Sequence, residues 1–162
     1  METLLSFLKS IPEYNLLTAS IAGGESAAVT GIGQVNRSHI IAGLRQDTAA
    51  PMIILCQDDL AARRLQEELK CFLGQTFPVL PSRELTLYDT AVVSRGWEQK
   101  RLRLLYELVT GECTTIIMTW ESMSQRTMTA QVLCDSAFTL KVGQSYNPVD
   151  ECCIHVTRRQ GI

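Results

Sequence analysis

Apolar and polar residues follow two periods along the chain, one typical of strands and one typical of helices. Short apolar runs of strand length lie at 27–30, 51–56, 77–80 and 114–119. The run at 51–56 is continuous, which predicts a strand covered on both faces. Helical spacing fills the intervals between these runs. The pattern therefore predicts an α/β fold with a mostly parallel sheet.

Caps and breakers place the predicted helices. Apolar residues on either side of Pro12 predict two short helices in the first twenty residues. Asn36 is a predicted N-cap, and Asp58 or Asp59 caps the next helix, which Gly74 ends. The apolar faces of these two helices are predicted to be Ile40, Ile41 and Leu44, and then Ala61, Leu65, Leu69 and Phe72.

The second half of the chain continues the alternation. Ser94 is the predicted cap of a helix ending at Gly111, with an apolar face of Leu102, Leu105, Tyr106 and Val109. Two short helices at 121–126 and 129–134, a half-exposed strand at 138–142 and a helix from 147 to about 159 follow.

The carboxyl ends of the predicted strands define one rim of the sheet. Ligands of parallel α/β sheets usually lie there, so the loops after residues 30, 56, 80 and 119 are the natural places to look for a site. The stretch 80–95 is the most densely charged of these loops.

The loop after the first predicted strand has the spacing of a phosphate-binding P-loop. Gly31, four residues, then Asn36, Arg37 and Ser38 match G-x-x-x-x-G-K-[ST] in position. Asn36 adds a Cβ where phosphate must approach the backbone, and Arg37 replaces the lysine point charge. No carboxylate directly follows the strands at 51–56 and 114–119 to hold magnesium. An ordinary strand-to-helix turn in a domain that no longer binds ATP is favoured over nucleotide binding.

Composition limits the kinds of partner and site that this chain is expected to have. A net charge of -2 over 162 residues argues against a dedicated nucleic-acid binder, although Arg95, Lys100, Arg101 and Arg103 could contact phosphate. Ion pairing on a surface is favoured over catalysis for the nearby carboxylates. Six cysteines without a C-x-x-C pair and two distant histidines predict no metal site. No apolar run is long enough to span a bilayer, and we expect a cytoplasmic protein with reduced thiols.

The charged stretch and its surroundings resemble the amino-terminal module of the bacterial transcription-repair coupling factor. The residues that carry the resemblance are Leu80-Pro81-Ser82-Arg83-Glu84, Tyr88-Asp89, Val93-Ser94-Arg95, Glu98, Arg101-Leu102, Leu105, Glu121, Gln125-Arg126, Phe138 to Gly143 and Tyr146. Weaker similarity at Arg37, His39 and Gly43 extends the resemblance over nearly the whole chain.

The resemblance implies a RecA-like domain over 1–135, similar to the excision-repair protein UvrB and with a degenerate P-loop at Gly31, Asn36, Arg37 and Ser38. Residues 136–162 would begin a second, small α+β domain. The implied role is a non-catalytic adaptor that couples stalled RNA polymerase to nucleotide excision repair, through UvrA recruitment and autoinhibition. The alternative is an ATP- or DNA-binding helicase-like domain of an excision-repair protein.

Two features of the related proteins are missing from this sequence, and their absence reduces the set of sites that we expect. The aromatic hairpin that UvrB threads between DNA strands is missing after Tyr88-Asp89, and the family's UvrA contacts would lie beyond Ile162. ATP and magnesium belong to the family's carboxyl-terminal translocase, so no cofactor and only weak or absent DNA contact are expected for this chain. The partners implied are the rest of the coupling factor, UvrA and RNA polymerase. Candidate interface or structural residues are Arg83, Glu84, Tyr88, Asp89, Arg95, Arg101, Gln125 and Arg126.

Overall fold

The computed structural model describes residues 2–82 and 96–137, which form a mixed α/β arrangement. Their elements are α1 (Glu2–Leu8), α2 (Pro12–Ala22), α3 (Gln34–Asp47), β1 (Met52–Cys56), α4 (Asp59–Leu73), α5 (Gly96–Val109), β2 (Thr115–Thr119), α6 (Trp120–Ser124) and α7 (Ala130–Ser136). The predicted cap Ser94, strand 138–142 and helix 147–159 lie outside the described residues. The RecA-like assignment stays a prediction.

The sheet is parallel, as predicted. β1 and β2 pair in register, with Ile54 opposite Ile117. The predicted strand at 77–80 lies on the other side of β2, where Val79 forms a bridge to Ile117 and the Leu80 N–H donates to the Ile117 carbonyl over 2.9 Å. The spatial order in the described part of the chain is therefore the Val79 segment, β2, β1.

Helices cover both faces of β2. On one face, here called face A, Ile54 and Ile117 lie in a core with Leu69 of α4. On the opposite face, face B, Ile116 and Met118 pack with Leu80 and with Leu104 of α5. All five residues of β2 are buried, as a strand covered on both sides requires.

β1 differs from the prediction that both its faces are covered. Burial alternates along the strand, and Ile53 and Leu55 are 64% and 49% exposed. These two side chains lie on face B, beside Ile116 and Met118 in the ladder. Among the described residues the packing of α5 over face B includes β2 but not β1. A continuous apolar run could not reveal that one side would be left open.

The predicted strand at 27–30 is wrong, and so is the predicted N-cap Asn36. Residues 25–30 have no regular secondary structure and are exposed throughout. Two of the four residues are alanine, which offers little area to bury and a poor strand propensity. α3 begins three residues earlier than predicted, with Gly33 as its N-cap, so Asn36 lies in the first turn.

The face of α5 is shifted by one position from the prediction. The residues that face inward are Arg101, Leu104, Leu105 and Leu108. The predicted face was Leu102, Leu105, Tyr106 and Val109. The period of i, i+3, i+4, i+7 is right, but its first position is occupied by a charged residue. A count of apolar residues alone could not include Arg101.

Helix termini near the sheet agree with the sequence. The Asp58 carboxylate accepts the Ala61 N–H at 2.7 Å and caps α4. Gly74 ends α4 in the left-handed conformation at φ 70°. Pro12 occupies the first turn of α2, as predicted.

The first helices are attached to α3 at a close crossing. Tyr14 donates to Asp47 at 3.0 Å, and Lys9 forms an ion pair with the same carboxylate at 2.8 Å. Burial, with a further contribution from Asp47, raises the pKa of Tyr14 above its ordinary value. A Cβ at Gly43 would stand 2.5 Å from Leu8 Cδ1 and 2.8 Å from the Tyr14 hydroxyl. A larger residue at this position would therefore displace the ends of Leu8 and Tyr14, both of which are buried.

The chain divides into two compact units, Met1–Gln125 and Arg126–Ile162. In the described part of the second unit α7 is capped by the Thr129 hydroxyl, which accepts the Val132 N–H at 3.4 Å. The predicted domain boundary at 135/136 stays a prediction. No helix among the described residues is both long and apolar enough to cross a membrane.

We expect Gly43→Ala to lower the free energy of unfolding by about 1–2 kcal/mol, because crowding against Leu8 and Tyr14 outweighs the gain in helix propensity. Gln46→Ala, at an exposed position of the same helix, is the control and should change it by less than about 0.5 kcal/mol. Urea denaturation measures both. An unchanged or raised stability of Gly43→Ala would contradict the close crossing.

Candidate functional site

A buried arginine links the carboxyl edge of the sheet to α5. Arg101 is 6% exposed. Its Nη1 donates to the Pro81 carbonyl at 3.0 Å, and its Nη2 donates to the Ser122 carbonyl at 2.8 Å. Pro81 follows the Val79 segment, and Ser122 lies in α6 directly after β2. One guanidinium therefore connects three segments that are distant in sequence.

The carbonyl of Ser122 is held in place by a capping box at the start of α6. The Thr119 hydroxyl accepts the Ser122 N–H at 3.1 Å, and the Thr119 N–H donates to the Ser122 hydroxyl at 3.0 Å. The Ser122 hydroxyl also donates to the Thr119 carbonyl at 3.0 Å. Ser122 is fully buried. The capping box thus holds the carbonyl that accepts from Arg101 in a fixed position, independently of the arginine.

In the described part of the chain, the charge of Arg101 is stabilised by backbone dipoles. No carboxylate of residues 4–82 or 96–137 forms an ion pair with it. Burial lowers the pKa of Arg101, since desolvation disfavours the charged form. An arginine nevertheless stays protonated at neutral pH. Its charge is stabilised by the two backbone carbonyls, which is a structural arrangement.

The residues of the predicted phosphate cradle do not assemble at the carboxyl edge. Gly31 has φ +78° and is exposed, and the Asn36 N–H donates to the Gly33 carbonyl at 3.0 Å. Arg37 is exposed, whereas Ser38 is buried. The next residue, His39, stacks on Phe72 in the last turn of α4, with ring centroids 5.3 Å apart.

That contact locates the cradle residues relative to the sheet. α4 begins directly after β1, at the carboxyl edge, and its last turn lies about 20 Å farther along at 1.5 Å per residue. Ser38 therefore lies near the far end of α4. The expectation of a rim shared by the loops after residues 30, 56, 80 and 119 is corrected for the first of these loops, because no strand precedes it.

Other predicted residues fall into two groups. Arg83, Glu84, Tyr88, Asp89 and Arg95 lie outside the described residues. In the described part, Gln125 is the half-buried C-cap of α6 and Arg126 is exposed.

The basic face of α5 offers little free positive charge. Arg103 Nε forms an ion pair with Glu107 at 2.8 Å, and this contact raises the pKa of Arg103. Arg101 is buried and Lys100 is exposed. In the described ranges no group of three His, Cys, Asp or Glu side chains could hold a metal ion.

A cavity of about 460 Å³ lies at the opposite, amino edge of the sheet. Arg45 lines it and donates to the Thr48 carbonyl at 2.8 Å and to the Thr114 hydroxyl at 3.0 Å. Arg45 Nε and the Thr115 hydroxyl are buried, and neither has a hydrogen-bond partner among residues 4–82 and 96–137. Sequence reasoning missed this cavity because its lining comes from four separate segments with no spacing signal.

Comparison with known proteins gives one weak relationship. The chain is 25% identical over 134 residues to the transcription-repair-coupling factor of Escherichia coli (strain K12), a match that covers 83% of this chain and 12% of that protein. The chain therefore spans about an eighth of the length of the relative. No family model matches the chain, and no solved structure matches it. The similarity suggests a relationship to a DNA-repair protein.

We expect Arg101→Ala to lower the free energy of unfolding by about 2–4 kcal/mol, because the buried Ser122 carbonyl and the part-buried Pro81 carbonyl lose their donors. Arg101→Lys should recover part of this loss, since one ammonium cannot reproduce the two-armed contact. Arg103→Ala, which removes an exposed ion pair two residues away, should leave the free energy of unfolding nearly unchanged. Urea denaturation that finds Arg101→Ala and Arg103→Ala equal would show that Arg101 does not hold the edge together.

Proposed function

We propose that this chain is a non-catalytic amino-terminal module of a transcription-repair coupling factor. In this proposal it belongs to a longer protein that links stalled RNA polymerase to nucleotide excision repair. The module recruits UvrA together with residues beyond Ile162, and it restrains the translocase part until a partner binds.

The observation that carries the proposal is the similarity to the Escherichia coli coupling factor over 83% of this chain. A short shared motif could arise by chance, whereas a match of 134 residues is too long to depend on one motif. The charged stretch 80–95 and the segment around Arg101 are where the sequence resemblance is most specific. We further propose that the first unit derives from a RecA-like, UvrB-like domain.

The geometry of the described residues supports a non-catalytic role. Asn36 and Arg37 replace the glycine and lysine of a phosphate cradle, and Ser38 is buried where a magnesium-binding hydroxyl would need to be accessible. At the carboxyl edge, the two terminal guanidinium nitrogens of Arg101 donate to backbone carbonyls of this chain. This arrangement fixes a surface for contact with neighbouring domains.

The test uses the protein encoded by the reading frame that continues past Ile162. Removing residues 1–125 should raise its DNA-stimulated ATP turnover about fivefold or more, since coupling between sites typically corresponds to 5–150-fold. Binding of UvrA should be weakened in the same deletion. Steady-state ATPase assays and a UvrA pull-down measure the two effects.

A matched pair of point variants tests whether the hydrogen bonds of Arg101 account for part of the effect of deleting the whole module. Arg101→Ala in the longer protein should reproduce part of the ATPase activation, while Arg103→Ala should not. A reading frame that stops at Ile162, or a deletion that changes neither ATP turnover nor UvrA binding, would contradict the proposed function.

A further inference from the structure

The cavity at the amino edge of the sheet has the size and lining of a ligand site. Its volume of about 460 Å³ lies in the range of about 300–1,000 Å³ that is typical of small-ligand pockets. Phe77 and Thr115 in its lining are 6% and 2% exposed, whereas Gln75, Thr76 and Glu112 are exposed. The cavity therefore connects solvent with buried side chains at the start of β2.

Arg45 contributes a hydrogen-bond donor of fixed orientation to this cavity. Its Nη1 donates to the Thr48 carbonyl at 2.8 Å, and its Nη2 donates to the Thr114 hydroxyl at 3.0 Å. Because a guanidinium is planar, these two contacts also fix the direction of the Nε–H bond. Arg45 Nε is buried, and within residues 4–82 and 96–137 it has no acceptor. A ligand that carries an acceptor would therefore meet a donor that is already oriented.

The Thr115 hydroxyl is a second buried polar group that has no partner within the same two ranges. Buried polar atoms in native proteins are nearly always hydrogen-bonded. Valine has nearly the same shape and suits a strand equally well, so the packing of β2 does not account for a hydroxyl at this position. A polar ligand in the cavity would account for both Thr115 and Arg45.

The charge around the cavity limits the class of ligand. Glu107 and Glu112 both line it. The hydrogen bond and charge of Glu107, and then the charge of Glu112, raise the pKa of Arg103, so the two carboxylates act at one place. Glu112 forms no ion pair with any described residue, and the Arg103 side chain that pairs with Glu107 is 80% exposed. These carboxylates would repel an anionic ligand and attract a cation.

We propose that this cavity binds a lysine or arginine residue of a partner protein. The cation of that residue lies beside Glu107 and Glu112, and its backbone carbonyl accepts from Arg45 Nε and from the Thr115 hydroxyl. A simple amine lacks the carbonyl, and a free amino acid adds a negative charge that the two glutamates would repel. The site does not depend on the proposed function, because all the groups that form it belong to this chain.

The first test is an NMR titration of the ¹⁵N-labelled chain with Nα-acetyl-arginine methylamide, which carries one cation and the peptide carbonyls of a single residue. The Arg45 Nε–H signal, assigned by its loss in Arg45→Lys, and the backbone amide of Thr115 should shift saturably with a Kd of about 1–10 mM. Nα-acetyl-citrulline methylamide has the same shape without the charge and should bind about tenfold more weakly or less. Equal binding of the two probes, or no saturable shift, would overturn the inference.

A pair of charge variants tests the role of the glutamates. Glu112→Gln should weaken binding of the arginine probe by about three- to tenfold, because one of the two attracting charges is lost. Glu121→Gln removes an exposed carboxylate that does not line the cavity and should leave the Kd unchanged. Equal effects of the two variants would overturn the inference, since attraction would then come from the overall charge of the chain.

Thr115→Val distinguishes a binding hydroxyl from a structural one. We expect the Tm of the free chain to stay the same or to rise by about 1–3 °C, because a buried hydroxyl without a partner is removed. The same variant should weaken binding of the arginine probe about threefold or more. A lowered Tm would show that the hydroxyl already has a partner within the chain, and either that result or an unchanged Kd would overturn the inference.

Discussion

The desolvated guanidinium of Arg101 is the constraint on which the carboxyl edge of the structure depends. A buried charge must be matched by fixed dipoles or an opposite charge. Here the Pro81 and Ser122 carbonyls supply the dipoles, and the Thr119 capping box fixes one of them. Arg101 therefore keeps both hydrogen bonds only when α5, the segment after Val79 and the start of α6 hold one arrangement.

The same packing leaves the sheet asymmetric. Face A is covered over both strands by α4, with α1 and α3 in the same core, whereas α5 covers face B over β2 and the Val79 segment. β1 keeps Ile53 and Leu55 exposed on face B and has an open edge. Among the described residues, the sheet is thus fixed at its carboxyl end by Arg101 and left unpaired at the outer edge of β1.

The sequence predicted elements whose signals are local. Asp58, Gly74 and Pro12 act through short-range capping and breaking rules, and β2 has three large apolar residues between two β-branched threonines. The errors have tertiary causes. The inward face of α5 includes a charged residue that only its two carbonyl partners explain, and the run at 27–30 offers too little area to join the sheet. The position of Ser38 follows from how α3 packs on α4, which no spacing in the sequence specifies.

We expect this chain to bind no nucleotide and to act through its surface instead. Isothermal titration of Mg-ATP into the purified chain tests it most directly. We expect no saturable heat, because the cradle residues are replaced at Asn36 and Arg37 and Ser38 is buried. Saturable binding to one site, abolished by Arg37→Ala while the fold is retained, would contradict the account and favour a nucleotide-binding, helicase-like domain.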